Sequence, residues 1–352
     1  MIATDGKKMS GSGTVAAEPL TVDAEAKDTW LRKRSAYFLD GRRTTWRRGI
    51  LIATSAVAVA LLMLLHAFVP NRKWNLGSLL ETFLPWLGLT VPVLLVLALL
   101  RRSATALVAV LLLAAVWLNV SRGLLLDRRK DGGNLMVVTH NVAIANPDPV
   151  GTAHELAASG ADVLALEEMT DAAVLTYEKA LAGTYAHHAV EGTVGLWSRY
   201  PITEAEARDD LGWDRFLRAV VETPHGKVAV YVVHLPSVRV RLHAGFTADQ
   251  RDRGADAIAA SIAAEPLHRV VLLGDFNGTT DDRAFAAITA QMRSTQSTAG
   301  HGYGFTWPSS FPLMRIDQIL VKGIRATSSW TLPRTGSDHL PVAARVELSE
   351  ER

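Results

Sequence analysis

Long apolar runs near the start of the chain restrict its fold more than any other feature. In this 352-residue sequence, Gly49–Val69 contains no Asp, Glu, Lys or Arg, and Phe83–Leu100 and Ala104–Val120 are two further uncharged runs. A helix of roughly 20 apolar residues spans a bilayer, whereas a helix exposed to water needs a polar face, which these runs lack. The sequence therefore predicts three transmembrane helices. The alternative, buried core helices of a soluble domain, fits these lengths less well.

Basic residues indicate how the predicted spans are oriented. A large cluster precedes the first run: Arg32, Lys33, Arg34, Arg42, Arg43, Arg47 and Arg48. Positive charge favours the cytoplasmic side, so we expect a cytoplasmic N-terminus and, after three crossings, an extracytoplasmic C-terminal domain. A smaller cluster argues against this orientation because it follows the third run: Arg122, Arg128, Arg129 and Lys130. We give the first cluster more weight and predict a multi-pass protein of the cell membrane.

The chain is thereby divided into four parts. We predict a disordered, basic cytoplasmic tail at 1–48, a membrane domain at 49–121, a linker at 122–133 and a soluble α/β domain at 134–349. Residues 1–132 carry 18 Lys+Arg against 9 Asp+Glu, and residues 133–352 carry 19 against 26. A polynucleotide-binding domain usually presents a basic face, so the acidic balance makes nucleic acid a less favoured partner. No cysteine is present, which excludes disulfides and thiolate metal sites.

One strand candidate in the second half ends in polar residues. The β-branched and aliphatic run from Val270 leads into Gly274-Asp275-Phe276-Asn277. Alternate residues of a strand point to the same side, so Asp275 and Asn277 are expected to face one site. An ordinary turn closing the strand is the alternative.

The same pattern recurs at other strand ends, which is where sites form in α/β sheets. Further polar residues end or follow apolar stretches: Asn141, Glu168, His234, Asp317, Asp338 and His339. Six such placements in order indicate a single constellation rather than separate turn and cap residues.

In this order the motifs resemble the endonuclease/exonuclease/phosphatase superfamily, the DNase I-like group, over residues 134–348. The segment Leu196–Ile202 is also similar to a strand motif of that superfamily, and Glu167 stands where the family often has Gln. The resemblance implies an α+β fold, a four-layer α/β/β/α sandwich, here preceded by the three predicted transmembrane helices. It also implies a Mg²⁺-dependent attack of water on a phosphoester, with Mn²⁺ as a further candidate ion.

The resemblance assigns roles to the constellation. It implies that Glu168, with Asn141 and Asp338, holds the cation through oxygen ligands, as a hard cation requires. Asp275 is expected to orient or deprotonate the attacking water, and Asn277 to help position it. The remaining roles go to three residues: His339 contacts the phosphate, Asp317 is its carboxylate partner, and His234 lies on the leaving-group side or binds phosphate.

The arrangement of membrane spans followed by such a domain resembles that of a narrower group, the actinobacterial membrane-anchored teicoplanin-resistance (VanJ-like) proteins. That resemblance implies a lipid-linked cell-envelope phosphoester or pyrophosphate as substrate and the lipid bilayer as a partner; no protein partner can be inferred. A membrane-anchored extracellular nuclease or phosphodiesterase has the same catalytic residues and stays open. A non-catalytic phosphate-binding module is the second alternative.

The loop after His234 adds candidate substrate-binding residues. Residues 235–246 mix apolar side chains with Arg239 and Arg241. Arginine suits bidentate contacts to phosphate, so we expect both to meet a lipid phosphate. The alternating segment Val238–Leu242 is equally compatible with a short edge strand.

Overall fold

A computed structural model describes residues 29–30, 32–33, 49–71, 74–207, 215–241, 243 and 245–348. The predicted disordered segment 1–28 and the basic residues from Arg34 to Arg48 lie outside this range, so their predicted state stays an expectation.

The apolar segment folds into four helices within the described residues. These are α1 (Ile50–Leu64), α2 (Leu76–Thr82), α3 (Thr90–Leu100) and α4 (Ala104–Leu125), with 3₁₀ turns at His66–Phe68 and Leu84–Leu89. Of these helices, α4 is long and apolar enough to cross a membrane by itself. It runs past the predicted boundary near residue 121 and so includes the first residues of the predicted linker.

The other predicted spans are less regular than expected. Helix α2 and the segment Leu84–Leu100 are long and apolar enough to cross a membrane only when taken together, but they are bent by 66° relative to each other. Helix α1 has 15 residues. The bend coincides with Pro85, which has no N–H to donate to a helical hydrogen bond. The described residues therefore provide one membrane-span candidate, or two if the bent pair counts as one, and not the three predicted.

Beyond residue 133 the described chain forms fourteen strands and five helices. The strands are β1 (Leu135–Asn141), β2 (Val163–Glu167), β3 (His187–Glu191), β4 (Val194–Ser198), β5 (Ile202–Ala207), β6 (Phe216–Thr223), β7 (Gly226–His234), β8 (Val240–Arg241), β9 (Gly245–Phe246), β10 (Val270–Asp275), β11 (Arg293–Ser294), β12 (Asp317–Lys322), β13 (Arg325–Thr331) and β14 (Val342–Glu347). The helices are α5 (Pro149–Ala158), α6 (Asp171–Leu181), α7 (Asp249–Ala264), α8 (Ala286–Thr289) and α9 (Thr295–Ala299).

Two six-stranded sheets contain twelve of these strands. Their orders are β13-β14-β1-β2-β4-β3 and β11-β12-β10-β7-β6-β5. Each sheet has a central parallel pair, β1 with β2 and β7 with β10, flanked by antiparallel neighbours. A helix connects the strands of each parallel pair, α5 in the first sheet and α7 in the second. The two halves therefore share one topology, although the sequence shows no visible repeat.

Alternation of side chains along the strands builds four layers. In β1, Leu135 and Val137 enter the core between the sheets, whereas Met136 and Val138 pack on the outer side with residues of α5 and α6. The outer side of the second sheet packs in the same way against α7. The domain is thus the predicted α+β sandwich with a helical layer on each face.

Local details differ from the sequence-based expectations. Although Thr247 precedes a helical pattern and is a residue type that can cap a helix, α7 begins at Asp249 without a side-chain cap, and the Thr247 hydroxyl contacts the backbone of Arg239. The expected edge strand after His234 is shorter than predicted: β8 pairs with β9 as a two-residue hairpin.

Candidate active site

The carboxyl ends of the parallel pairs from both sheets meet at one place. Asn141 ends β1 and Asp275 ends β10, and Asn141 Nδ2 donates to Asp275 Oδ2 over 3.0 Å. His234 ends β7 and is paired in register with Asp275. The structure therefore brings together side chains that are up to 134 residues apart in sequence.

Two residues with a left-handed backbone conformation direct the chain toward this site. Glu168 directly after β2 has φ +60°, and Asn277 just after β10 has φ +47°. Such a conformation is uncommon for residues with a Cβ and tends to occur at functional sites. These turns place Glu168 and Asn277 along a cleft that also contains Asp275.

The cleft has a volume of about 560 Å³ and collects most of the predicted site residues. The predicted residues that line it are Glu168, Arg239, Asp275, Asn277, Asp338 and His339. At the rim, Trp307 Nε1 donates to Asp338 Oδ2 over 3.2 Å. The side chain of Glu168 is 26% exposed, so its carboxylate is accessible from the cleft.

Asp275 is buried beneath the cleft and held by several donors. The backbone N–H of Asn277 donates to its Oδ1 at 2.8 Å, and the amide groups of Asn277 and Asn141 donate to its Oδ2. Burial, reinforced by the charge of Asp317, raises the pKa of Asp275 to about 7. A carboxylate with a pKa near neutrality is suited to act as a general base at physiological pH.

His339 forms a close pair with Asp317. Its Nδ1 lies 2.9 Å from Asp317 Oδ2 and 3.1 Å from Oδ1. Burial opposes the positive charge on the ring, but the carboxylates of Asp317, Asp275 and Asp338 outweigh it and raise the pKa of His339 to about 10. His339 is therefore a protonated donor at neutral pH, and its Nε2 lies 4.0 Å from Asp275 Oδ2.

His234 differs from His339 in charge, although both rings are buried. It is 3% exposed, and it is absent from the described residues that line the cleft. Burial, with the charges of Arg215 and His339, lowers the pKa of His234 to about 3, so the ring is neutral. Its Nε2 lies 3.4 Å from Glu168 Oε1 and 3.8 Å from Asp275 Oδ2, which suits a residue that orients these carboxylates.

Comparison with models of known protein families identifies one family that matches this chain. The model of the Endonuclease/Exonuclease/phosphatase family matches residues 138–339, more than half of the chain. The chain belongs to this family. It is therefore a metal-dependent phosphoric ester hydrolase. Sequence comparison with the curated proteins gives no significant match.

Solved structures share the fold of the family domain. D. rerio TDP2 complexed with single strand DNA product has 19% identity and a TM-score of 0.51, covering 60% of this chain and 98% of that one. A family member from Bacteroides thetaiotaomicron has 16% identity and a TM-score of 0.50, covering 61% and 98%. Sphingomyelinase C from Streptomyces griseocarneus has 22% identity and a TM-score of 0.46, covering 60% and 98%. At these identities the likeness of the first two structures shows the fold alone.

The donor set fits the divalent cation on which enzymes of this family depend. Ligand atoms of Asp275, Asp317 and His339 lie within 4.8 Å of one another, but a protonated His339 repels a cation. The accessible carboxylates of Glu168 and Asp338 are better ligands, since hard cations prefer oxygen. Asn141 is fully buried and its Oδ1 accepts from the backbone N–H of Ala143, which leaves one lone pair of that oxygen for a cation.

Glu167 and Glu168 have distinct environments although they are adjacent. Glu167 is fully buried and accepts a 2.6 Å hydrogen bond from Thr139 Oγ1. Burial raises its pKa well above the usual range, which favours the neutral acid form of the side chain. A neutral acid can replace the Gln that the family often carries there, whereas Glu168 faces the cleft.

Several cleft residues were missed in the sequence. Trp307, Met314 and Ile316 line the cleft from the segment before β12, and Thr82 and Phe83 line it from the apolar region. These residues belong to no recognisable motif, so no sequence signal pointed to them.

A second missed group supports the cleft from behind. Arg251 in α7 is fully buried and donates to the carbonyl of Asn277 at 3.3 Å and to Asp282 Oδ2 at 2.7 Å. It thereby holds the backbone of a cleft residue. Its spacing in α7 marks it as an inward-facing position, but its charge is not expected in a core.

Proposed function

We propose that the protein is a membrane-attached, Mg²⁺-dependent phosphohydrolase that acts on the phosphoester or pyrophosphate of a lipid-linked cell-envelope intermediate. In this proposal the catalytic domain lies outside the cytoplasm. One observation carries the proposal: the cleft that contains Asp275 and His339 is also bordered by Thr82 and Phe83, between the apolar helices. A site in that position meets a substrate whose phosphate lies at a bilayer surface.

The proposed chemistry uses the charges of the described site. Asp275, with its pKa near 7, accepts the proton of the attacking water. Protonated His339 donates to a phosphoryl oxygen and stabilises the charge that grows there. Asn277 fixes the orientation of Asp275 through two hydrogen bonds.

The cation and the arginines complete the proposed site. Glu168, Asp338 and Asn141 would hold Mg²⁺, which when bound polarises the phosphoryl group. Arg239 lines the cleft, and Arg241 lies in an adjoining groove with Asp249 and Arg253. We assign both arginines to the phosphate groups of the lipid substrate or of the membrane surface.

A substrate panel tests the proposal. The full-length protein in lipid vesicles is given a prenyl diphosphate, a phospholipid, an inositol phosphate and DNA, each with Mg²⁺ or with chelator. We expect Mg²⁺-dependent release of phosphate from the lipid substrate at the highest kcat/KM. DNA as the preferred substrate would instead support the nuclease alternative, and no hydrolysis of any member would refute the proposal.

A further inference from the structure

The bend after α2 supplies one wall of the catalytic cleft. Thr82 ends α2, Phe83 follows it, and both line the cleft together with Asp275 and His339. The helices therefore do more than lie beside the family domain, because they contribute side chains to the space in which the reaction takes place.

An ion pair between buried Glu81 and half-buried Arg283 fixes this wall in place. The Glu81 side chain is 1% exposed and contacts Arg283 through Nη2 at 2.8 Å and Nε at 3.0 Å. Arg283 also donates to the backbone carbonyls of Val69 and His66. A paired charge buried at such a junction is costly to separate, so α2 is held against the loop that follows β10.

Contacts on both sides of Phe83 determine its position. Before it, Ser78 Oγ donates to Asp282 Oδ1 at 3.0 Å. After it, Trp86 Nε1 donates to the carbonyl of Leu313 at 2.9 Å, and the Trp86 ring stacks on Phe305 with centroids 5.5 Å apart. Phe83 is thus held between two anchors, yet 39% of its surface remains exposed.

Apolar side chains accompany Phe83 in the cleft lining. Those that line the same cleft are Val238, Val240, Phe246, Met314 and Ile316. Val240 is 69% exposed. Contact of this apolar side chain with water is unfavourable unless a ligand or lipid covers it. The cleft therefore combines charged and apolar side chains in its lining, a combination that matches an amphipathic ligand.

We infer that Phe83, with these apolar side chains, forms a subsite for the hydrocarbon chain of an amphipathic phosphoester whose phosphate reaches Asp275 and His339. The inference rests on the proposed function and specifies which part of the chain recognises the lipid portion. It makes Phe83 a determinant of chain-length preference.

Binding of two non-hydrolysable phosphonates tests this subsite without turnover. The full-length protein in phosphatidylcholine nanodiscs is titrated calorimetrically with ethylphosphonate and octylphosphonate, with empty nanodiscs as the blank. In the wild type we expect octylphosphonate to bind at least about tenfold more tightly, since each buried methylene adds to the affinity. In Phe83→Ala we expect that ratio to fall below about three, with ethylphosphonate affinity unchanged.

Two further variants keep the result interpretable. Phe68→Ala removes an aromatic ring that is 81% exposed on a neighbouring turn and absent from the cleft lining, so it should keep the wild-type ratio. Phe83→Leu retains apolar bulk and should keep most of it. The inference is overturned by equal binding of the two phosphonates to the wild type, by an undiminished ratio in Phe83→Ala, or by equal loss of both ligands in that variant. Chain-length-dependent binding without hydrolysis of any lipid phosphate would instead refute only the proposed function.

Discussion

The amide of Asn141 donates to the carboxylate of Asp275 over 3.0 Å and thereby joins the ends of β1 and β10. These strands are central in different sheets. The contact fixes how the two sheets meet at the cleft, and it also helps to orient the proposed general base. Packing of the sandwich and positioning of the reactive carboxylate are therefore linked through one hydrogen bond.

Replacement of Asp275 tests its role as the base. Asp275→Asn should reduce kcat by about 10²–10⁴, the usual contribution of acid–base catalysis, while thermal unfolding stays cooperative. Asp256→Asn, which alters an exposed carboxylate of α7, is the matched control and should keep wild-type turnover. Near-normal kcat in Asp275→Asn would remove Asp275 from the mechanism.

Substitution of the two adjacent glutamates, Glu167 and Glu168, should have different effects on the Mg²⁺ concentration that gives half-maximal activity. Glu168→Gln removes an accessible anionic ligand and should raise the Mg²⁺ concentration for half-maximal activity at least about tenfold. Glu167→Gln should leave it within about twofold, because that side chain is fully buried and burial favours its uncharged form. The reverse order of effects, or full activity in excess chelator, would contradict the assignment of the metal ligands.

The central part of the fold could be predicted because burial leaves a clear sequence pattern. The core strands β1, β2, β7 and β10 are runs of apolar residues, and each ends in or directly precedes a polar site residue. Strands β3, β5 and β13 were not predicted. All three lie at sheet edges, where one side meets solvent and polar residues replace the apolar pattern, as in Ile202–Ala207.

The site could be predicted only in part, for a related reason. Motif residues such as Glu168 and His339 are polar groups at strand ends and are visible in the sequence. The cleft walls are not, because Phe83 and Trp307 reach the cleft only through tertiary packing of distant segments. The charge difference between His234 and His339 comes from the carboxylates around His339, since both rings are buried, and it likewise cannot be read from two histidines in a sequence.

The Asp317–His339 pair predicts a shift in the pH profile. Asp317→Asn removes a carboxylate that raises the pKa of His339, so the ring should lose its proton at a lower pH. The same carboxylate raises the pKa of Asp275. Both limbs of the pH–kcat profile should therefore move toward acid, with about a tenfold loss for each pH unit above the lowered pKa of His339. An unchanged alkaline limb in Asp317→Asn would show that His339 does not act as the protonated donor.

Orientation in the membrane can be tested with a single cysteine, since the chain has none. Gly183 is exposed and a Cβ there meets no atom within 4 Å, so Gly183→Cys should fold normally. We expect a membrane-impermeant maleimide to label it on intact cells, because the basic cluster favours a cytoplasmic N-terminus and a single crossing by α4 then places the domain outside. Ser12→Cys in the N-terminal tail is the control and should react only after lysis. The opposite pattern would place the catalytic domain in the cytoplasm.

The β8–β9 hairpin predicts a difference between membrane-embedded and soluble substrates. Its backbone is tied to the helical segment, since Phe246 N–H donates to the carbonyl of Trp74 at 2.9 Å. Arg239 lines the catalytic cleft, whereas Arg241 lies in the adjoining groove. Loss of charge-assisted contacts to phosphate should therefore reduce hydrolysis of a vesicle-borne lipid phosphate about tenfold or more in Arg239→Ala with Arg241→Ala.

The same double variant should hydrolyse a soluble diester, bis-p-nitrophenyl phosphate, nearly as well as the wild type. Of the single variants, Arg239→Ala should have the larger effect, because only Arg239 borders the cleft that holds Asp275. Arg253→Ala, in the adjoining groove, controls for a general loss of positive charge near the membrane. Equal losses on both substrates would mean that the hairpin serves the reaction centre or the fold, and no loss on either would mean that these arginines do not contact the substrate.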